Sequence, residues 1–270
     1  MEWFEALLMG IIQGLTEFLP VSSSGHLELS KVLFGLEGEQ NMVFTIVVHG
    51  ATVLSTIVVF RTYIADLFKG LFRFSWNDET HYIAKIVLSM IPAVIIGLLF
   101  EEELETFFDG NLLFVGIMLL ITAVLLAFTY YAKPQAHKVS YSHAFIIGIA
   151  QACAILPGIS RSGATIATGL LLGNKKDETA SFSFLMVIPV IIGANAKKLL
   201  DSLSESSSEI TASSGNINTF NLLIGFMAAF FVGWLACTFM IRIVKKGKLI
   251  WFSIYCAIVG STSILVSLVL

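Results

Sequence analysis

Charged residues make up only 13% of this 270-residue sequence, where a soluble domain carries roughly a quarter. The shortfall runs from end to end, because 56% of the residues are hydrophobic and the mean hydropathy is +0.87. That excludes an ordinary water-soluble globule and makes a bilayer the main solvent of the chain. Cysteine is scarce too. Cys153, Cys237 and Cys256 lie in apolar stretches without metal-ligand spacing or pairing pattern, which leaves them as small packing residues. A net charge of −3 is too small to attract a polyanion, so no nucleic-acid partner is expected. The N-terminus, Met1-Glu2-Trp3-Phe4-Glu5, lacks the basic n-region of a cleaved signal peptide. What begins there is expected to belong to the mature protein.

What is there in abundance is apolar length. Spans are predicted at 42–60, 82–100, 112–132, 220–241 and 249–270, with a sixth and more polar one at 178–200. Four shorter helical stretches remain, at 2–18, 24–36, 141–156 and 162–173. They come in pairs, each broken by a Pro-Gly-Ser-rich turn: Leu19-Pro20-Val21-Ser22-Ser23-Ser24-Gly25-His26 and Pro157-Gly158-Ile159-Ser160-Arg161-Ser162-Gly163. None of the four is long enough to cross alone, so each pair reads as a re-entrant hairpin, over 2–36 and 141–173.

The two breaks are related in sequence. A shift of 138 residues aligns Gly10 with Gly148, Gln13 with Gln151, Ser22 with Ser160, Ser24 with Ser162, Gly25 with Gly163 and Phe44 with Phe182. Each half then carries one hairpin and three spans, and three is odd. The expected fold is an all-α polytopic membrane protein of six spans in two inverted-topology repeats, 1–138 and 139–270.

Charge sorts the connecting segments independently. The segments 61–81, 133–140, 174–177 and 242–248 carry Arg61, Lys69, Arg73, Lys133, Lys138, Lys175, Lys176, Arg242, Lys245, Lys246 and Lys248. The loops 37–41, 101–111 and 201–219 contain no Lys or Arg. The positive-inside rule makes the first group cytoplasmic and puts both termini outside. The Ser-rich stretch 202–214 reads as a flexible exterior loop.

The breaks also hold the costly residues. Arg161, between Pro, Gly and Ser in an apolar setting, either caps carbonyl groups or offers a guanidinium fork to phosphate. Ser160, Ser162 and Thr165 surround it with hydroxyls, and the helix that follows adds N–H groups and a positive dipole end. In the first break, Ser22, Ser23 and Ser24 precede a second helix N-terminus, where each suits a plain N-cap as well as catalysis. His26 follows in the first turn, where a neutral imidazole can act as base or nucleophile. Gln13 and Glu17, four apart on one helix face, could hold a divalent cation or position water, or Glu17 could pair with Arg161. His49, mid-span with no partner visible in the sequence, reads as a packing residue or a hydrogen-bonded core group.

Gln13-Gly14-Leu15-Thr16-Glu17, running into Ser22-Ser23-Ser24-Gly25-His26, resembles the (E/Q)xxxE motif and following Ser-Gly-His of the bacterial undecaprenyl-diphosphate phosphatases, also called bacitracin-resistance proteins. Pro157-Gly158-Ile159-Ser160-Arg161-Ser162-Gly163-Ala164-Thr165 resembles that family's PGxSRSxxT motif at every fixed position. The resemblance implies hydrolysis of undecaprenyl diphosphate to the monophosphate and inorganic phosphate, recycling the lipid carrier for cell-wall synthesis and conferring bacitracin resistance. It implies a divalent cation (Mg2+ or Ca2+) and a multi-pass protein of the bacterial inner membrane whose site opens to the exterior. Glu17, Ser23, His26 and Arg161 would be catalytic, Glu17 the metal-binding carboxylate as well. Gln13, Ser22, Ser24, Ser160, Ser162 and Thr165 would bind substrate. Two departures stand out: Gln13 cannot be a second acid, and Asp177 to Ser181 lacks the charged residue many relatives place before Phe182-Ser183-Phe184-Leu185.

The expected partners are an isoprenyl diphosphate lipid and membrane lipids, with a homodimer left open. Ser23 or His26 attacks phosphorus, or His26 activates water. The rival reading is a transporter or flippase of a lipid-linked phosphate, which needs an anion clamp but no nucleophile.

Overall fold

The computed structural model describes residues 1–34, 42–100, 103–104, 106–108, 111–132, 137–204 and 218–269. The end of the first hairpin, the 37–41 loop, Lys133, parts of the 101–111 loop and the Ser-rich stretch from 205 lie outside them. Eleven α-helices account for nearly all of the described chain: α1 Trp3–Phe18, α2 Ser23–Phe34, α3 Met42–Val59, α4 Arg61–Leu71, α5 Asp78–Leu99 and α6 Leu112–Phe128, then α7 Tyr141–Cys153, α8 Arg161–Leu171, α9 Lys176–Ser204, α10 Thr219–Lys246 and α11 Ile250–Ser267. Among the described residues the one β-type pairing is an isolated bridge between His137 and Asn174.

Among the described residues five helices are long and apolar enough to cross a membrane: Asp78–Leu99, Leu112–Tyr131, Lys176–Asp201, Thr219–Lys246 and Ile250–Ser267. The pair Val43–Val59 and Arg61–Leu71, bent by 77°, brings the number to six if counted as one span. This is a multi-pass membrane protein. The expected span at 42–60 thus ends in a sharp turn at Phe60, and its continuation, α4, was not anticipated as a helix. Leu67 is buried while Tyr63, Phe68 and Leu71 are exposed, so α4 offers an apolar flank beyond the protein core.

The four short helices fall where the Pro-Gly-Ser breaks predict. Pro20 and Pro157 lie in the breaks, where the missing N–H and the fixed φ end a helix cheaply. Ser160 caps α8 by accepting the Gly163 N–H at 3.1 Å, and Ser22 accepts the Gly25 N–H at 3.2 Å in the first turn of α2.

Small residues let the hairpins pack closely on the spans. A methyl group at Gly10 would lie 2.5 Å from the Gly225 carbonyl oxygen, and one at Gly14 would lie 2.6 Å from that of Ala229. Backbone therefore meets backbone along α1 and α10, a common way for helices to associate without a hydrophobic driving force. Gly148 of α7 meets the Ser89 carbonyl of α5 in the same manner. At the centre, Phe182 and Phe184 of α9 are fully buried. Phe184 packs edge-on against Phe18 at 5.8 Å, and Phe182 against Tyr82 at 5.7 Å.

The basic segments converge. Lys175 N–H donates to the His137 carbonyl at 3.0 Å, Lys138 reaches Asp78 at 3.5 Å, and His81 contacts the Tyr141 hydroxyl at 2.7 Å. Gly247, which closes α10 with φ +69°, sits against Lys176 Nζ. Residues from the four segments grouped by charge in the sequence therefore share one end of the molecule. The Met1 carbonyl instead accepts from Asn221 at 2.8 Å, at the start of α10.

Candidate active site

The two breaks meet in the middle of the fold. Gly158 N–H donates to Ser22 Oγ at 3.2 Å, and Ser162 Oγ donates to the Leu19 carbonyl at 3.0 Å. A third element fastens the second break: Thr122 of α6 donates to the Gly158 carbonyl at 3.1 Å and accepts from Ser160 N–H at 3.0 Å. Ser22 carries a φ of +71°, a left-handed conformation that costs a serine free energy. Its hydroxyl accepts from both Gly25 and Gly158, so the strained residue ties α2 to the other break.

Glu17 is the hub of this junction. Its side chain is only 5% exposed, and one carboxylate takes donors from three directions. Gln13 Nε2 donates at 2.9 Å, Ser23 Oγ donates at 2.8 Å, and the Arg161 guanidinium closes an ion pair from the opposite break. The pairing considered for Glu17 in the sequence is thus present. Yet the pair leaves a buried donor and a buried acceptor over: Arg161 Nη1 and Gln13 Oε1 have no partner among the described residues. Buried polar atoms left unpaired are costly and call for a ligand or ordered water.

His26 stands on the next turn of α2. Its Nδ1 lies 2.9 Å from the Ser22 carbonyl, and its Nε2 lies 2.8 Å from the hydroxyl of Tyr255 on α11. The imidazole and the Tyr255 ring are stacked, with centroids 5.6 Å apart. Ser24 approaches Ser22 at 3.4 Å.

The remaining hydroxyls expected to bind substrate are engaged within the protein. Ser160 caps α8, Ser162 holds the Leu19 carbonyl, and Thr165 donates to the Arg161 carbonyl at 2.8 Å while meeting Ser183 at 2.6 Å. They are all buried. In this state they hold the second break in shape behind Arg161.

Two neighbours escaped the sequence reading. His49 of α3 neighbours Glu17, with its Nδ1 bonded to the Thr45 carbonyl at 2.9 Å. Tyr255 reaches His26 across 229 positions. Nothing in the local sequence of either residue marks it, because both contacts are made by tertiary packing.

The junction is therefore centred on the two motifs singled out in the sequence, with Thr122 and Tyr255 added by packing. Residues 6–262 match the family of the bacitracin resistance protein BacA. The chain belongs to that family. It is 59% identical over 268 residues to a protein of Bacteroides fragilis named undecaprenyl-diphosphatase, covering 99% of both chains. A protein of Parabacteroides distasonis with the same name is 58% identical over 265 residues, 98% of both chains. One from Salinibacter ruber, again so named, is 38% identical over 272 residues, covering 96% of this chain and 97% of its own. Membership thus extends across the whole fold, the breaks and the apolar spans alike.

Proposed function

We propose that this chain is an integral membrane phosphatase that hydrolyses undecaprenyl diphosphate to undecaprenyl phosphate and inorganic phosphate, recycling the lipid carrier of cell-wall synthesis. The observation that carries this reading is the Glu17 carboxylate, shared between a hydroxyl nucleophile, Ser23, and the Arg161 guanidinium. A carrier protein needs the guanidinium; the serine with a carboxylate on its proton is the equipment of phosphoryl transfer.

In the mechanism we infer, the diphosphate enters between the N-termini of α2 and α8, where the dipoles and first-turn N–H groups favour an anion. Arg161 Nη1, buried and unpartnered, donates to a phosphate oxygen. Ser23 Oγ attacks the terminal phosphorus while its proton passes to Glu17. The new Oγ–P bond forms as the P–O bond to the lipid monophosphate breaks, and that monophosphate leaves as a stable anion. Water then cleaves the phosphoserine, with His26 taking its proton, and Glu17 returns a proton to Ser23. The fixed positive groups around the phosphoryl oxygens supply most of the acceleration, because they need no reorganisation as charge develops.

The residues present fit a hard divalent cation of the Mg2+ or Ca2+ class. Glu17 and Gln13 would hold it: Glu17 offers carboxylate oxygens, and Gln13 Oε1 is a buried carbonyl oxygen with no partner among the described residues. When bound it would neutralise charge on the phosphate oxygens.

The same reading takes the two halves, 1–138 and 139–270, as inverted repeats. Three matched details support it. Ser22 and Ser160 bond Gly25 and Gly163 alike, at 3.2 and 3.1 Å. Gly10 abuts α10 of the second half, and Gly148 abuts α5 of the first. Gly116 and Gly260, on the last span of each half, meet reciprocally, a methyl on either lying 2.8 Å from the other's carbonyl oxygen. The gathering of the basic segments at one end supports reading that end as cytoplasmic by the positive-inside rule, with both termini outside, and this reading takes the site to open to the exterior.

Phosphate release from a polyprenyl diphosphate by purified protein in detergent, with and without chelator, tests the proposal. Cation-dependent release of one phosphate per lipid, leaving the monophosphate, supports it. Folded protein that releases none, yet moves a lipid phosphate across liposomes, overturns it.

A further inference from the structure

Tyr255 has no part in the phosphoryl-transfer steps, yet its hydroxyl meets the ring nitrogen through which His26 would take a proton. The Ser22 carbonyl can only accept a hydrogen bond. With Nδ1 at 2.9 Å from it, the ring proton of a neutral imidazole must sit on Nδ1. Nε2 then holds the lone pair, and the Tyr255 hydroxyl, 2.8 Å away, donates to it. The tyrosine ring lies nearly parallel to the imidazole, at 11°, so it fixes the ring plane as well as the nitrogen.

The position of Tyr255 is itself fixed by its neighbours on α11. The Cys256 thiol contacts the Pro20 carbonyl in the first break at 3.6 Å, and Ser253 donates to the Ala123 carbonyl of α6 at 2.6 Å. One turn of α11 is thereby pinned to the catalytic break. Tyr255 is nevertheless 43% exposed, which leaves its side chain room to withdraw from Nε2.

We propose that Tyr255 is the positioning residue of His26: with the Ser22 carbonyl holding the imidazole as the Nδ1–H tautomer, the tyrosine hydroxyl fixes the ring from its other side and occupies Nε2 until a reactant arrives. In the hydrolytic step, a water displaces the hydroxyl from the lone pair and gives its proton to Nε2. The imidazolium then carries protons on both nitrogens, and the tyrosine oxygen, able to accept as well as donate, stabilises the new N–H. The kinetic consequence rests on the phosphatase reading; the tautomer does not.

The test combines 15N NMR of histidine-labelled protein in detergent with turnover. The His26 signal is identified by its disappearance in His26→Gln. In the wild type it should report a protonated Nδ1 and a hydrogen-bonded, unprotonated Nε2. Tyr255→Phe keeps the stack and removes the hydroxyl, so the Nε2 signal should move to that of a free lone pair. Tyr255→Leu, lacking ring and hydroxyl, should free the same lone pair and broaden the signal as the ring loses its stacking partner, with Nδ1 still protonated against the Ser22 carbonyl. Phosphate release by Tyr255→Phe should fall roughly five- to tenfold in kcat at unchanged KM, the loss expected for one hydrogen bond. Added to His26→Gln, the same change should cost nothing more. A wild-type His26 protonated on Nε2, or a signal indifferent to both tyrosine substitutions, overturns the proposal, as does an equal loss in the His26→Gln background. The expected tautomer and the sensitivity of the Nε2 signal to Tyr255, found in protein that releases no phosphate, would leave the positioning contact standing and remove the phosphatase reading.

Discussion

Glu17 and Arg161 are 144 positions apart in the chain and form an ion pair in the fold, each contributed by a different break. The pair joins the two motifs into one site. Its side chains are 5% and 19% exposed, so neither charge can be removed without leaving the other stranded in a poorly solvated place.

Arg161→Ala should therefore lower kcat for phosphate release by about 10²- to 10³-fold, the usual loss when one preorganised donor to a developing charge is removed. Arg161→Lys should recover only part of it, because an ammonium keeps the charge and loses the planar fork. Steady-state release, with folding checked by thermal denaturation in detergent, reads both.

Glu17→Gln keeps the shape of the side chain and removes its charge. Ser23 loses its proton acceptor, and a roughly hundredfold or greater fall in kcat is expected from loss of the base. The stranded guanidinium should also cost about 3 kcal/mol of stability. The double variant Glu17→Gln with Arg161→Gln should be more stable than either single one, which a double-mutant cycle of denaturation midpoints measures.

Adjacent serines should separate by phenotype. Ser23→Ala removes a hydroxyl that donates to Glu17 and should abolish turnover in protein that still folds, at a cost of about 1–3 kcal/mol for the bond lost to a buried carboxylate. Ser22→Ala removes the acceptor of the Gly25 and Gly158 N–H groups and should cost about 1–3 kcal/mol of stability. Ser160→Ala should cost about 1 kcal/mol as a lost N-cap. A Ser22→Ala protein as stable as the wild type would contradict its role as the tie between breaks.

The close contact of α1 with α10 makes a further prediction. Gly10→Val or Gly14→Val drives a side chain into the Gly225 or Ala229 backbone, which cannot withdraw as a flexible side chain would. Both should lose well over 1 kcal/mol, beyond ordinary overpacking, with reduced yield of folded protein. Gly97→Ala, on α5 with open space at its Cβ, is the control and should be neutral or slightly stabilising.

Much of this site was legible because its residues are contiguous. Pro20, the Ser22–Ser24 run and Gly25, and likewise Pro157 to Gly163, mark breaks by local backbone chemistry, and a charged residue in such a break has few bland uses. The short helices, the apolar spans and the clustering of Lys175, Lys138 and Gly247 at one end followed from composition and periodicity. What sequence did not yield is whatever tertiary packing decides. The turn at Phe60 and the helix α4 have no proline or glycine at the bend to announce them. Ser22 and Ser23 are chemically identical in the sequence, and only the fold directs one to the backbone and the other to Glu17. Tyr255 and His49 enter through α11 and α3, far along the chain, with no motif around either.

Single-turnover phosphate release tests the central claim most directly. The substrate would be a polyprenyl diphosphate labelled at its terminal phosphorus, mixed with purified wild type, Glu17→Gln, Ser23→Ala and Arg161→Ala. The account predicts one labelled phosphate per lipid from the wild type in the presence of Mg2+ or Ca2+, and at least a hundredfold slower release from each folded variant. Release at the wild-type rate from folded Glu17→Gln or Arg161→Ala protein would contradict it.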